Sequence, residues 1–482
     1  MNPASSRSPR RPAILLALLL AACSAQPPMP ALHTAMPATW GSTGSWAQAP
    51  APVSMPVDGA WWKVFDDPEL DRLQHALLLH NQSLAAQLAI HEQAQAALEQ
   101  ARAAEYPSLS TQVGGSRGAA AGAGVGARNQ VSAQLSASWE PDLWGRVRLQ
   151  VEQGRAQLRA SADTLRATRL SLQASLAQSY LQLRVVDAQS ALAERTVRDY
   201  AQALQLTLHR LQGGVATDAD VAQARTQLLQ AQTARTDLEV TRKQLLDAIA
   251  VLSGAPAPRF ALAAGQALPR LPRIPAGIPA QLLLRRPDLA AAQQQVQAAN
   301  AQIGIAERAW LPALTLGASG GSQASALAGL LRAPSLYWSL GPSLAATLFD
   351  GGLRSAQLAS SRAAYRQVVA QYRQAVLQAM QQVEDNLGAQ RILRAEALQQ
   401  AQLVQAAELS LRLVLSQYKA GTVSYLNVIN AQTAATSARN GVLALRQRRY
   451  AAAVGLIAAL GGAWSDGRGP GVADSSARPP GP

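Results

Sequence analysis

Apolar residues recur every seven positions through the long stretches of this chain and every two positions through its short ones. Leu176, Leu183, Val197, Leu204 and Leu211 hold one heptad register, with Ser190 the polar exception. Ala224, Ala231, Leu238, Leu245 and Leu252 hold the return. The pattern recurs later as Val404, Leu411 and Tyr418, then Val428, Ala435 and Val442. Such seams predict long helices paired as coiled coils, and the many alanines let them approach closely. The first runs from about 146 to 211 with only Gly154 against it, about 100 Å at 1.5 Å per residue. Both seams reverse at glycine, at Gly213-Gly214 and inside "KAGTVSYLNV" (419–428), where Gly421 has the signature of a helix C-cap.

Shorter helices are predicted at about 68 to 104 and 287 to 309, stopped by Pro107 and Pro312. Period-two segments follow each. Leu314, Leu316 and Ala318 alternate with small or polar residues, as do Val131, Ala133, Leu135, Ala137 and Trp139 after a glycine-rich loop at 114–129. These are β-hairpins whose strands have the roughly ten residues that a tilted membrane strand requires.

The parts occur twice in the same order. "GVATDADVAQART" (214–226) matches "GTVSYLNVINAQT" (421–433), "YPSLSTQVGGS" parallels "LPALTLGASGGS", and "DLWGRVR" parallels "FDGGLR". Repeat 1 is placed at 58–257, a Pro-rich connector at 258–286 and repeat 2 at 287–465. A Pro/Ala-rich lead at 23–57 precedes them, and a tail at 466–482 with nothing to pack follows.

Composition agrees with long helices: 48% of the 482 residues are apolar but only 4% aromatic. The net charge of +14 comes from arginines spread beside glutamines, with short clusters such as Arg446, Arg448 and Arg449. Solvated helix faces explain that better than nucleic-acid binding.

Arg7, Arg10 and Arg11 precede "AILLALLLAAC" (13–23), a charged segment and an apolar run too short to span a bilayer. Leu20-Ala21-Ala22-Cys23 resembles the bacterial lipoprotein processing site, which makes 1–22 a signal peptide and Cys23 a lipidated N-terminus. Cys23 is the single cysteine, which excludes an internal disulfide. Ser24 after it fits delivery to the outer membrane. No run of about twenty apolar residues follows, so strands must do any spanning. Tyr106, Trp139, Trp144, Trp310 and Phe349 fit an interfacial girdle at the inner end of the hairpins. Tyr337 and Trp338 begin the last strand, and the opposite girdle is the place left for them.

Four strands cannot close a barrel, and open edges in lipid leave backbone groups unsatisfied. Bacterial barrels begin at about eight strands, so identical copies must complete the ring around a conduit.

Catalytic motifs have weak support. Gly317-Ala318-Ser319-Gly320-Gly321 has the G-x-S-x-G spacing, but that motif needs a strand-to-helix turn and a His/acid pair. Gly122–Gly126 lacks the adjoining helix and Lys-Ser/Thr of a phosphate loop. His75, His80 and His91 share one early helix without a ligand face, so neither a metal, a cofactor nor an enzyme is expected.

"LLLRRPDLAAAQQQVQAANAQIGIAERAWLPALTL" (282–316), "YWSLGPSLAATLFDGG" (337–352) and the paired glycine tips resemble the TolC-type outer-membrane efflux proteins. With the lipoprotein site, the resemblance is to the branch that serves RND-type drug pumps. It covers about 58 to 464, and Arg285-Arg286-Pro287-Asp288 and Leu348–Gly352 are its most specific parts. It implies an α+β homotrimer with a twelve-stranded transmembrane β-barrel, four strands per chain, and a long periplasmic α-helical barrel. It also implies passive conduction from an inner-membrane pump through a periplasmic adaptor to the exterior. A type I protein-secretion duct and a non-conducting periplasmic bridge are the alternatives.

The resemblance assigns the tips Gly213, Gly214, Asp218, Asp220, Lys419 and Gly421 to adaptor contact. It puts Tyr425 and Leu426 at a constricting apolar ring. Where the family commonly carries Asp-Ala-Gln-Arg, this chain has Asn430-Ala431-Gln432-Thr433, so the charged gate pair is missing. Asp218 and Asp220 are either a replacement negative ring or solvated turn and N-cap residues.

Overall fold

The computed structural model describes residues 60–118, 127–265, 267–272 and 286–462. Cys23 and the lead, Arg285, the 119–126 part of the glycine-rich loop, much of the connector and the tail lie outside them. In chain order the elements are α1 (Pro68–His80), α2 (Gln82–Ala103), β1 (Ser108–Gly118), β2 (Arg128–Trp139), α3 (Arg146–Gln212) and α4 (Asp218–Leu252). Then follow α5 (Pro287–Arg308), β3 (Ala313–Ala324), β4 (Leu336–Ala345), α6 (Leu353–Lys419) and α7 (Tyr425–Ala459). No described helix is long and apolar enough to cross a membrane.

One expectation changes, and one holds. The helix foreseen at 68–104 is two helices, because Asn81 takes an extended backbone and caps α2 with its side chain, Leu84 N donating to Oδ1 at 2.9 Å. Its amide also donates to the Leu252 carbonyl at 2.8 Å. Gly154 does not interrupt α3. A Cβ there would sit 3.3 Å from Leu98 Cδ1, so the glycine lets α2 pack close.

The repeat is physical as well as textual. Asp142 accepts from Val147 N (3.0 Å) and Arg148 N (2.9 Å) at the start of α3. Asp350 accepts from Arg354 N (3.3 Å) and Arg354 Nε (2.6 Å) at the start of α6. The Arg354 bond holds the Asp350 carboxyl below the usual carboxylate range.

The chain folds as two compact units that cut across the repeats. One contains Ala89–Asp163 and Ala290–Gln374. It holds a four-stranded antiparallel sheet in the order β1-β2-β3-β4. In the same unit Trp144 Nε1 donates to Pro312 O at 2.6 Å, and Arg308 Nε donates to Trp144 O at 2.6 Å. These bonds lock the two helix–strand junctions together.

The other unit contains 60–88, the described residues of Thr164–Leu289, and 375–462. Its core packs Trp61, Phe65, Leu70 and Leu77 against Leu176 and Leu183 of α3, Ile249 of α4 and Val454 of α7. A polar chain runs beside it. Asp67 caps α1 and accepts from Tyr180 Oη (2.8 Å), which accepts from Arg184 Nε (3.0 Å). Asp187, whose side chain is 1% exposed, then binds Arg184 (3.1 Å), Arg242 (2.8 Å) and Gly265 N (2.8 Å). Arg286 of the family-like motif binds Asp288 (2.7 Å) and the Ala459 carbonyl (3.1 Å), so it acts as a clasp on the end of α7.

Candidate functional site

Strand register sorts the sheet into two chemically distinct faces. β1 pairs with β2 so that Leu109 meets Ala137 and Val113 meets Ala133. β2 pairs with β3 so that Ala137 meets Ala318, and β3 pairs with β4 so that Ala318 meets Leu340 and Gly320 meets Trp338. Because side chains alternate along a strand, these residues share one face, with Leu135, Trp139, Leu316, Leu336 and Leu344. It is apolar and open to the surroundings: Leu109 is 70% exposed and Leu340 75%. The opposite face carries Ser110, Gln112, Gln134, Ser136, Ser319 and Ser339. Ser110 and Ser136 hydroxyls meet at 2.8 Å, and Ser319 and Ser339 at 3.4 Å. This is the dyad of a membrane strand with one side in lipid and the other in water.

The aromatic residues fall into place by register. Trp139 and Trp310 stand at the helix end of the strands, Trp139 donating to Glu105 O at 3.0 Å. Trp338, on the apolar face, lies seven rungs from the Ala313–Ala345 rung, about 23 Å away at 3.3 Å per residue. That is close to the roughly 25 Å band between aromatic girdles. Tyr337, one residue earlier, projects to the polar face. The Gly317–Gly321 motif lies inside β3, so Ser319 has no strand-to-helix turn beneath it. Among the described residues no three His, Cys, Asp or Glu side chains gather to hold a metal.

The helical tips are the second feature. Both end in a Schellman motif with glycine in the left-handed position. Val215 N donates to Arg210 O (2.9 Å) around Gly214 at φ 74°, and Thr422 N to Gln417 O (3.1 Å) around Gly421 at φ 81°. After the first turn, Thr217 caps α4 in a capping box. Its hydroxyl accepts from Asp220 N (3.2 Å), while Asp220 Oδ2 accepts from Thr217 N (3.0 Å). The Asp220 carboxylate is committed to that cap, whereas Asp218 is exposed. Gly213 and Lys419 are exposed too.

The residues foreseen at a constriction separate. Leu426 is 55% exposed, and Asn430 and Thr433 are exposed at i+4 and i+7, so the three form one stripe along α7. Tyr425, 3% exposed, is turned the other way. It packs with Ala224, Tyr418, Val428 and Ile429, its ring 5.6 Å from that of Tyr418. Burial first, then the neighbouring Tyr418, Tyr200 and Asp220, pushes the Tyr425 phenol up to about 12.

Arg210 joins the tips without having been foreseen from the sequence. Its guanidinium donates to the Tyr418 carbonyl at 2.6 Å and lies 4.4 Å from that ring's centre, tying the end of α3 to the end of α6. An arginine in the last turn of a helix was the available signal, since cations bind terminal carbonyls there. Its target was not readable, because position 417, which stands opposite Arg210 in the repeat, is glutamine.

A family model described as "Outer membrane efflux protein" matches residues 73–255 and 278–462. The pyoverdine export outer membrane protein OpmQ of Pseudomonas aeruginosa is 33% identical over 463 residues, 94% of this chain and 96% of that protein. Among solved structures, the outer-membrane channel OprN superposes with a TM-score of 0.83 at 25% identity, covering 91% of this chain and 98% of that one. The open state of the Neisseria gonorrhoeae MtrE outer membrane channel gives 0.78 at 26% identity, covering 91% and 98%.

Proposed function

Because this chain belongs to the outer membrane efflux protein family, we propose that three copies close one barrel and form the exit duct of a tripartite pump. The protein is the outer-membrane component of an efflux system. The proposal adds its stoichiometry, gate, lipid anchor and pump partners.

The unpaired edges of β1 and β4 carry it. Each chain supplies a four-stranded sheet with one apolar and one polar face. In lipid, edge backbone groups without partners cost several kcal/mol each, and barrels need about eight strands or more. Identical copies satisfy both demands, and three supply twelve strands. The polar faces then line a passage and the apolar faces meet lipid. Conduction is passive: this chain supplies the walls and the pump supplies the energy. The pyoverdine export that names one relative supports a small-molecule cargo; an RND-type pump and a periplasmic adaptor are the partners proposed to deliver it. The adaptor docks at the glycine tips, Gly213-Gly214 with Asp218 and Gly421 with Lys419. The stripe headed by Leu426, with Asn430 and Thr433 behind it, narrows the passage at rest. Acylation at Cys23 tethers the N-terminus to the membrane.

Purified protein tests this directly. Heat-modifiable trimer migration and discrete conductance in planar bilayers are expected, whereas a lone chain without conductance would refute the duct. Capture of an RND adaptor, and not an ABC exporter, checks the partner assignment. Cys23→Ser is expected to abolish acyl labelling yet still insert, because the strands hold the barrel.

A further inference from the structure

From Tyr106 to Trp139 and from Ala309 to Phe349 there is not one carboxylate, and the charges are three arginines: Arg117, Arg128 and Arg332. All three stand at the loop end of the hairpins. Arg117 pairs with Asn129 near the end of β1, Arg128 pairs with Gly118 at the start of β2, and Arg332 lies between β3 and β4. In an outer-membrane protein whose helices extend into the periplasm, this end faces the exterior.

Register decides which arginine meets lipid. Arg117 is four residues beyond Val113 and eight beyond Leu109, so it caps the apolar face. Arg128, one position before Asn129, belongs to the polar face. The Arg332 loop is held on the apolar face: Ser322, which pairs with Ala133 and Leu336 there, donates from Oγ to Leu330 O, and Ser335 Oγ donates to Gly329 O at 2.9 Å. That loop presents Leu331, 98% exposed, and runs into Leu336 and Trp338, 65% and 82% exposed, on the apolar face. The membrane side of the outer rim therefore combines guanidinium groups that no local carboxylate neutralises with bare leucine and tryptophan directly below.

We infer that this rim, with Arg117 and Arg332 as its cationic contacts, binds the phosphorylated glycolipid of the outer leaflet. Guanidinium groups favour phosphate because their planar forks match its oxygens. The apolar residues beneath continue the lipid-facing surface and accept the acyl chains. A neutral lipid leaves the excess positive charge unbalanced. A glycerophospholipid headgroup offers one phosphate to a rim whose arginines come from opposite edges of the sheet. The inference rests on the outer-membrane location and goes beyond the efflux reading, since this surface is not part of the passage.

The test titrates full-length protein in detergent with bis-phosphorylated lipid A, dephosphorylated lipid A and phosphatidylglycerol, counting bound lipid by native mass spectrometry. The phosphorylated glycolipid is expected to bind about tenfold more tightly than either comparison lipid. R117Q/R332Q should abolish that preference while keeping trimer migration and conductance, and R128Q, on the other face, should keep it. Arg332→Gln alone, a loop change outside every strand, should weaken binding about threefold, so a double variant that fails to assemble does not shelter the idea. Equal binding of dephosphorylated lipid A, or an unaltered preference in the arginine variants, would overturn it. Equal binding of phosphatidylglycerol would make the rim a general anionic-lipid surface and overturn the glycolipid assignment. Absence of conductance in wild-type protein would instead count against the duct alone.

Discussion

Arg210 and Tyr418 are joined twice, by a 2.6 Å bond from guanidinium to backbone carbonyl and by a 4.4 Å approach of guanidinium to ring. The residues end different helices, one in each repeat, so the contact couples the two tips of a single chain. Removing it leaves a carbonyl of the last turn of α6 without its charged donor.

Arg210→Ala is therefore expected to loosen the tips, with a charge-assisted hydrogen bond of about 1.5–3 kcal/mol at stake. Amide exchange at 205–220 and 414–430 should accelerate, and open probability in planar bilayers should rise. Arg210→Lys should recover only part, since an ammonium stacks less well on a ring than a planar guanidinium.

Leu426 and Tyr425 are adjacent, yet their expected effects differ because their burial differs. Leu426→Ser, at a half-exposed position, should change stability by no more than about 0.5 kcal/mol and raise single-channel conductance. Tyr425→Ala, at a position 3% exposed, should cost about 3–5 kcal/mol, as truncation of a buried aromatic does. Thermal melts beside bilayer recordings separate the two. Unchanged conductance in Leu426→Ser would remove that residue from the gate.

Tyr425 also sets an alkaline limit for its tip. Below pH 10 the folded and unfolded chains both keep its proton, so its contribution to stability is complete. Between pH 10 and about 12 the unfolded chain gives the proton up first, so stability falls as pH rises through that window. Absorbance at the tyrosinate band, taken as the difference between wild type and Tyr425→Phe, should show one phenol ionising near the top of it.

Gly214→Ala and Gly421→Ala should each cost about 1–2 kcal/mol. A Cβ added at either position would meet nothing within 4 Å, so the penalty is backbone strain at positive φ and not a clash. Chemical denaturation measures it, and a free substitution at either position would contradict the Schellman geometry.

Asp187→Ala should be severe. It strands the Arg184 guanidinium, whose side chain is 9% exposed, along with part of the Arg242 pairing. Breaking such a pair by removing one partner costs about 3–5 kcal/mol. The Gly265 amide loses its acceptor as well, so proteolysis near 262–265 should quicken.

Much of this was readable in the chain itself. Heptad and alternating periods are local properties, so Leu204, Leu211 and Gly214 announce a helix and its turn, and Val131 to Trp139 a two-faced strand, before any fold is known. The duplicated turns exposed the repeat. Interruption at Asn81 was not legible, because an asparagine can sit within a helix or cap one, and the bond to the Leu252 carbonyl that helps hold the capping conformation comes from across the fold. Nor was the inward turn of Tyr425, since a seven-residue step does not tell which of two neighbours faces the core.

What the sequence by itself determined is the kind and order of the elements, short of the break at Asn81, and the need for copies to complete the sheet, because backbone hydrogen bonding and apolar period act within a few residues. Only the tertiary structure decided which side of each element does what. It aligned four strands so that leucines share one face and all the strand serines but Ser322 the other, and it put Arg117 above the lipid side and Arg128 across from it. It also joined Arg210 to a carbonyl 208 residues away. Those outcomes depend on register and on long-range packing, where shifting a strand by one residue would invert every assignment.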